Sequence, residues 1–167
     1  MSQKRLNVFN LLRRKISPDE LLTSNLYDER TFYPKFILDL GHCQQVVIIE
    51  SPYLTCRRVN ELSPILAKLV NRGVLVIINT RNPQHHDEYL RIQAYMAIDT
   101  LKLIGAHVYT FNDYRHRKIV ILDQNIFYEG SLNVLSQCRS REIMRRVESE
   151  KLTQQMIRFL GVRQFYW

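Results

Sequence analysis

Three short runs of aliphatic, mostly β-branched residues constrain the fold of this chain more than any other feature. The runs are Val46–Glu50, Val74–Asn79 and Lys118–Leu122. Because they are apolar at nearly every position rather than at alternate positions, they predict strands buried on both faces of a sheet. Helical patterns at 59–70 and 87–104 follow the first two runs. This alternation predicts an α/β fold with parallel strands.

The remaining patterns complete one domain. They predict a helix within 28–40, strands at His107–Phe111, Asn125–Tyr128 and Glu142–Glu148, and a closing helix at Glu150–Leu160. The turn-like pair Asp123-Gln124 separates two of the short strands. We therefore expect a mixed but mostly parallel sheet with helices on both faces. Residues 1–27 are expected to form a basic N-terminal arm or helix, and residues 28–167 the single α/β domain.

The charge balance favours anionic partners. Lys and Arg number 24 against 16 Asp and Glu, which gives a net charge of +8. Nucleic acid is the first candidate partner and an acidic membrane surface the second. Three scattered cysteines exclude a disulfide scaffold, and no apolar run reaches the ~18 residues of a transmembrane helix. Since the N-terminal pattern is not that of a secretory signal, we expect a cytoplasmic protein.

The most informative segment is RHRKIVILDQNIFYEGSLN, which begins at Arg115. It contains His116-x-Lys118, then Asp123, then Gly130-Ser131-x-Asn133. This pattern resembles the HKD signature of the phospholipase D superfamily, and Ser51-Pro52-Tyr53 after the first strand is also similar to these domains. The resemblance implies a phospholipase D-like α/β/α sandwich, with residues 28–167 as a catalytic domain that hydrolyses phosphodiesters.

The residue types themselves suit a phosphodiester. If the segment is a strand, His116 and Lys118 point to the same face. The imidazole can attack phosphorus, and the ammonium can neutralise the charge on the non-bridging oxygens. Ser131 and Asn133 offer a hydroxyl and an amide to the same oxygens, and Gly130 permits close backbone approach. We therefore expect no metal ion and no cofactor.

The resemblance also assigns two supporting carboxylates. It implies an acidic residue after the GSxN box that holds the second nitrogen of the nucleophilic histidine, and Glu142 is the first candidate. Such a contact would select the tautomer of His116 and raise its basicity. Asp123 lies five residues beyond Lys118, at a strand end. We interpret it as a local structural group that supports the site.

The chain contains one motif, whereas the resemblance implies two for cleavage, one histidine as nucleophile and the other as general acid. None of the other histidines is followed two places later by lysine. A two-fold homodimer would supply the second copy by bringing two His116 side chains to one phosphate. The resemblance and the charge together predict a metal-independent endonuclease, with DNA a better candidate than RNA and no stable membrane association.

Two alternative functions stay open, a phospholipase acting on phosphatidyl lipids and a catalytically silent nucleic-acid-binding module. Several side chains also have more than one interpretation. The arginines that we expect to contact substrate are Arg115, Arg117, Arg139 and Arg141. The arginines after the GSxN box could instead form a solvated basic face, and they are Arg139, Arg141, Arg145 and Arg146. His85-His86 could bind metal, form a polar loop or contact substrate, and Tyr53, Tyr114 and Tyr128 could stack on bases or pack in the core.

Overall fold

Seven strands form one mixed sheet in the order β1-β7-β6-β5-β2-β3-β4. The structure is a computed structural model, and it describes residues 24–136 and 138–162. The strands are β1 Ser24–Asp28, β2 Val46–Glu50, β3 Leu75–Arg81, β4 His107–Phe111, β5 Ile119–Leu122, β6 Ile126–Gly130 and β7 Ile143–Glu148. The helices are α1 Phe32–His42, α2 Cys56–Asn71, α3 Glu88–Leu103 and α4 Glu150–Leu160, with a 3-10 turn at Pro83–His85.

Parallel pairing is confined to one half of the sheet. Strands β2, β3 and β4 are parallel neighbours connected by α2 and α3. The other four pairings of the described strands are antiparallel, so the expectation of a mostly parallel sheet is wrong. The short turn after Leu122 accounts for one of these pairings, that of β5 with β6, because two strands joined by a turn of a few residues pair antiparallel. The mixed α/β class itself is confirmed.

Helices cover both faces of the sheet, as predicted. Val47, Ile49, Val76, Ile78 and Val120 face the core under α1, α2 and α3. Their alternating neighbours, among them Val46, Ile48, Ile77 and Ile121, face a second core under α4. All residues of β2 and β5 are buried, and this accounts for the uninterrupted apolar runs in the sequence.

The helix ends follow local sequence signals. The side chains of Thr55, Asp87 and Ser149 accept hydrogen bonds from backbone amides in the first turns of α2, α3 and α4. Gly161 ends α4 in the left-handed conformation, with φ +67°. These caps determine where α2, α3 and α4 begin and where α4 ends.

The first strand extends the domain beyond the expected boundary. Ser24–Asp28 pairs along its whole length with β7, so residues 24–27 belong to the sheet and not to a separate arm. The sequence did not indicate this strand, because its residues are mostly exposed and lack an apolar run. Residues 1–23 of the predicted arm lie outside the described residues.

A buried ion pair attaches α1 to the sheet. Asp39 of α1 accepts a hydrogen bond from Arg146 Nε of β7 at 2.6 Å and from the hydroxyl of Tyr128 of β6 at 2.5 Å. Lys35 contacts the same carboxylate at 2.5 Å. Burial raises the pKa of Asp39, but the hydrogen bonds from Arg146, Lys35 and Tyr128 outweigh it, so the pKa lies below its ordinary value. Tyr128 is thus a core residue and not a stacking platform.

Candidate active site

His116 and Lys118 meet at the entrance to β5. The strand begins at Ile119, so both residues lie in the irregular segment before it and not on the strand, as the sequence had suggested. Their side chains are nevertheless adjacent. Lys118 Nζ lies 2.5 Å from His116 Nδ1 and donates to the carbonyl oxygen of His116 at 2.9 Å. An imidazole and an ammonium group therefore form one cationic pair at the protein surface.

The preceding residue anchors this segment to the core. Arg115 Nη1 lies 3.3 Å from Glu50 Oε1 at the end of β2, where the glutamate is 2% exposed. The guanidinium also pairs with Asp113 at 2.8 Å and lies 3.3 Å over the ring of Phe111. Asn79 donates a further hydrogen bond to Glu50. Arg115 was expected to contact substrate, but these internal partners already occupy its guanidinium.

An open cleft of about 530 Å³ lies beside the pair. It is lined by Leu26, His116, Arg117, Lys118, Ile119, Glu129, Gly130, Ser131, Ile143 and Arg145. The cleft therefore brings together five of the residues singled out in the sequence, which are His116, Arg117, Lys118, Gly130 and Ser131. Asn133 and Glu142 are not among its lining residues.

Gly130 allows β6 and β7 to approach closely beside Ser131. A Cβ atom on Gly130 would lie 2.1 Å from the carbonyl oxygen of Ile143 and 2.9 Å from Met144 Cα. Ser131 continues the contact, since its amide donates to the same carbonyl oxygen at 2.9 Å and its hydroxyl accepts from the Ile143 amide at 3.1 Å. Glycine at this position thus sets where the Ser131 hydroxyl stands at the cleft.

Glu142 has a different partner from the one expected. Within the described part of the chain, its carboxylate accepts a hydrogen bond from the Ser131 hydroxyl and not from His116. It also acts electrostatically on Lys118. In the single chain it therefore orients Ser131 and leaves both ring nitrogens of His116 to Lys118 or to groups outside the chain.

The surroundings of His116 and Lys118 lower the pKa of both groups. Burial, followed by the charges of Lys118 and Arg81, holds the pKa of His116 below its ordinary value of 6.5. Burial also lowers the pKa of Lys118, although the negative charge of Glu142 opposes the shift. A neutral imidazole at pH 7 is the form that can attack phosphorus.

Asn133 and Asp123 occupy different environments. Asn133 Oδ1 is buried without a hydrogen-bond partner among the described residues, which is uncommon for a polar atom in a folded protein. The Asp123 carboxylate accepts from the amides of Gln44, Gln45 and Val46, at 2.7–3.0 Å, and from the Cys43 thiol. Asp123 thus holds the loop before β2 at the opposite end of β5 from His116.

The basic residues divide into two groups. Arg117 and Arg145 are exposed and line the cleft, and the guanidinium of Arg117 lies 5.5 Å from the ring of Phe159. Arg139 and Arg141 are exposed on the segment between Ser131 and β7, and Arg141 lies 3.8 Å from Glu29. The first pair can reach a substrate in the cleft directly, whereas the second lies along the approach to it.

The apolar wall of the cleft could not be predicted from the sequence. Leu26 of β1 and Ile143 of β7 line it with 56% and 50% of their surface exposed. Isolated aliphatic residues on exposed strands carry no recognisable pattern. Among residues 24–136 and 138–162, no three His, Cys, Asp or Glu side chains are grouped so as to hold a metal ion, so His85-His86 lacks the companions of a metal site.

Comparisons with known proteins agree with this fold. The sequence model of the family described as cardiolipin synthase, PLD-like domain, matches residues 36–161. Nuc from Salmonella typhimurium, a phospholipase D family member, superposes with a TM-score of 0.70 at 14% identity, over 86% of this chain and 94% of that one. NucT from Helicobacter pylori superposes with a TM-score of 0.64 at 14% identity, over 86% and 96% of the two chains.

A third solved structure superposes on a larger share of this chain, but over a smaller share of its own length. TrmBL2, an archaeal chromatin protein whose structure shows a mode of DNA binding, superposes with a TM-score of 0.58 at 15% identity, over 92% of this chain and 55% of that one. No significant match was found among curated protein sequences. In the described chain, no helix has the length and apolar character needed to cross a membrane. The family match over most of the chain and the shared fold confirm the resemblance carried by the HKD signature: this chain belongs to the phospholipase D superfamily, as a PLD-like domain.

Proposed function

We propose that the protein is a metal-independent phosphodiesterase that cleaves nucleic acid internally, with DNA preferred over RNA. The supporting observation is the contact of His116 with Lys118 at the edge of an open cleft. Such a cleft, bordered by Arg117 and Arg145, suits a polymeric anion that lies across the surface. The net charge of +8 and the DNA binding stated for TrmBL2 favour the same class of substrate.

The proposed reaction has two steps. A ring nitrogen of His116 attacks phosphorus, the bond to the leaving oxygen breaks, and a second imidazole gives that oxygen its proton. Water then attacks the phosphohistidine, the second imidazole takes a proton from the water, and the phosphorus–nitrogen bond breaks to restore His116. Lys118, Ser131 and Asn133 hold the non-bridging oxygens, and Glu142 orients the Ser131 hydroxyl.

Lys118 changes partners in this scheme. Without substrate, its ammonium group donates to His116 Nδ1 and to the backbone. A phosphate carries more negative charge than a neutral imidazole, so it competes for the same donor. Binding of substrate would thus free the imidazole for attack at the moment when Lys118 begins to neutralise the phosphate.

The second imidazole is proposed to come from a second copy of the chain. The exposed Leu26 and Ile143 support this, because large aliphatic side chains beside a functional cleft commonly mark a surface that another protein covers. A two-fold interface places the same patch on both subunits, so each His116 would face the other across one phosphate.

The intermediate provides the main test. Single-stranded and duplex DNA, RNA, and vesicles of phosphatidyl lipids are offered to the protein in EDTA, and the reaction is quenched to recover phosphorylated protein. We expect cleavage of DNA in the chelator and a phosphohistidine at residue 116 that is absent from His116→Gln. Complete loss of cleavage in EDTA, or turnover of vesicles alone, would contradict the proposal.

The shared site has its own test. Ile143→Asp is expected to shift the protein from dimer to monomer in sedimentation and to lower cleavage at least tenfold. Leu103→Asp is the matched control, since Leu103 is 87% exposed on α3 and lies outside the cleft. A wild-type monomer with full activity would refute the shared site while leaving the phosphohistidine chemistry to be judged by the first test.

A further inference from the structure

Five side chains form a cluster next to His116 that the proposed reaction does not use. We call Tyr53, Arg81, His85, His86 and Tyr114 the aromatic shelf. The ring centroid of Tyr53 lies 5.8 Å from that of His116 and 5.0 Å from that of His86. The rings of His85 and Tyr114 stack at 4.6 Å, and the Arg81 guanidinium lies 4.9 Å from the Tyr114 ring.

The topology explains why these residues meet. Tyr53 follows β2, the two histidines follow β3, and Tyr114 follows β4. These three strands are parallel neighbours, so their carboxyl ends share one edge of the sheet. Strand β5 runs antiparallel to β2 and starts at that edge, just after His116. Ligands of open α/β sheets bind at this edge, and the shelf therefore adjoins the reaction centre.

Tyr114 is held in an unusual state. Its backbone has φ +53°, a left-handed conformation that few non-glycine residues adopt, and 66% of its surface is exposed. Neither feature helps to bury apolar surface. The neighbouring Arg115, anchored by Glu50 and Asp113, keeps the loop in place on one side of it. A strained and exposed aromatic side chain beside a functional cleft is characteristic of a ligand-contacting position.

The shelf also contains unsatisfied polar atoms. Arg81 Nε, His85 Nδ1 and His86 Nε2 are buried, and none has a hydrogen-bond partner within the described residues. Three such atoms within six consecutive residues, from Arg81 at the end of β3 to His86, are unusual, because buried polar atoms are nearly always paired. Arg81 Nη2 does donate to the His85 carbonyl at 2.9 Å, which holds the guanidinium beside the tyrosine ring. Small side-chain rotations on binding would bring unpaired nitrogens to a ligand.

We propose that the aromatic shelf binds an unpaired nucleobase of the nucleotide next to the phosphate that His116 attacks. This inference rests on the proposed function and specifies its substrate as single-stranded nucleic acid. The exposed ring of Tyr114 offers a stacking surface, and Arg81 with the two histidines offers polar groups to the base or its phosphate. A phosphatidylcholine headgroup fits less well, because the Arg81 guanidinium repels its quaternary ammonium group.

The test separates the base from the backbone. A single-stranded oligonucleotide is compared with the same chain in which abasic tetrahydrofuran residues replace the nucleosides, so that the phosphates are unchanged. Stacking on one side chain contributes roughly 5- to 150-fold per base. We therefore expect kcat/KM of the wild-type protein to be at least fivefold higher for the complete oligonucleotide than for the abasic chain. It should also be higher for the single strand than for the same strand in a duplex.

Three variants identify the shelf as the source of that ratio. Tyr114→Asn removes the ring but suits the left-handed backbone, and it should bring the ratio of the two rates close to one. Tyr114→Phe retains the ring and should retain the ratio. Tyr89→Ala is the matched control, since Tyr89 is a tyrosine on α3 with 71% of its surface exposed. Thermal melting of each variant reports whether the fold is intact.

The outcomes distinguish the two proposals. If the wild-type protein cleaves neither chain, or only vesicles, the proposed function fails and the shelf proposal fails with it. If it cleaves the complete and base-free chains equally well, the proposed function stands and the shelf proposal is overturned. A ratio that persists in a folded Tyr114→Asn protein also overturns it.

Discussion

Gly130→Ala should damage the protein at the point where the sheet meets the cleft. The added Cβ would lie 2.1 Å from the Ile143 carbonyl oxygen, and Cβ atoms essentially never lie within 3.0 Å of such an atom. The backbones of β6 and β7 must therefore separate by roughly 0.9 Å. Such a movement breaks the hydrogen bond, 2.9 Å long, that the Ser131 amide donates to the same oxygen. Overpacking costs ~1–3 kcal/mol and a lost hydrogen bond ~1 kcal/mol, so we expect a loss of about 3 kcal/mol.

Thermal and urea unfolding measure this loss. For a domain of this size, about 3 kcal/mol corresponds to a decrease in Tm of roughly 6–12 °C. Gly41→Ala is the matched control, because a Cβ there meets nothing within 4 Å and the residue lies in the last turn of α1. Its stability should stay within ~1 kcal/mol of wild type. If Gly130→Ala has the same Tm as Gly41→Ala, the argument from the close approach of β6 and β7 is wrong.

Three further predictions concern charged groups. Asp39→Ala leaves Arg146 buried without its carboxylate and should lower the free energy of unfolding in urea by about 3–5 kcal/mol. Folding lowers the pKa of Asp39, so the stability that its carboxylate supplies is present above pH ~4 and is lost as the pH falls through the lower folded value. The free energy of unfolding of the variant should therefore depend less on pH in the acid range than that of the wild type. Asp123→Ala removes the acceptor of several backbone amides and should destabilise the fold by about 2–4 kcal/mol. In thermal melting, Asp123→Asn should have a stability between those of the wild type and Asp123→Ala. Lys118→Gln removes a cation beside His116, so an NMR titration should show the pKa of His116 rising toward 6.5; a further decrease would contradict the electrostatic assignment.

Burial determined which parts of the fold were predictable. The strands with the clearest apolar runs, β2 and β3, are buried on both faces, and α4 occupies the predicted range Glu150–Leu160. Strand β1 could not be predicted, because it exists through its pairing with β7 and not through its own burial. The position of β5 likewise depends on which side of β2 the chain takes after β4, and local patterns contain no information on that choice.

In the site, residue types were predictable and their partners were not. The HKD spacing identified His116, Lys118 and Ser131, which the fold brings to one cleft. The partner of Glu142 depends on how β6 and β7 meet, and the close approach at Gly130 puts the carboxylate against Ser131. Arg115 could not be separated from its exposed neighbours by sequence, because its carboxylate partner Glu50 lies 65 residues away.

The anchoring of Arg115 by Glu50 has a consequence for behaviour in salt. The glutamate is 2% exposed, so dissolved ions reach this pair poorly and screen it little. Arg117 and Arg145, in contrast, are open to solvent, and counter-ions compete with any phosphate that they attract. Raising the ionic strength should therefore increase KM for a nucleic-acid substrate steeply while kcat changes little, because the proposed nucleophile His116 remains in place as the attraction for the polyanion weakens.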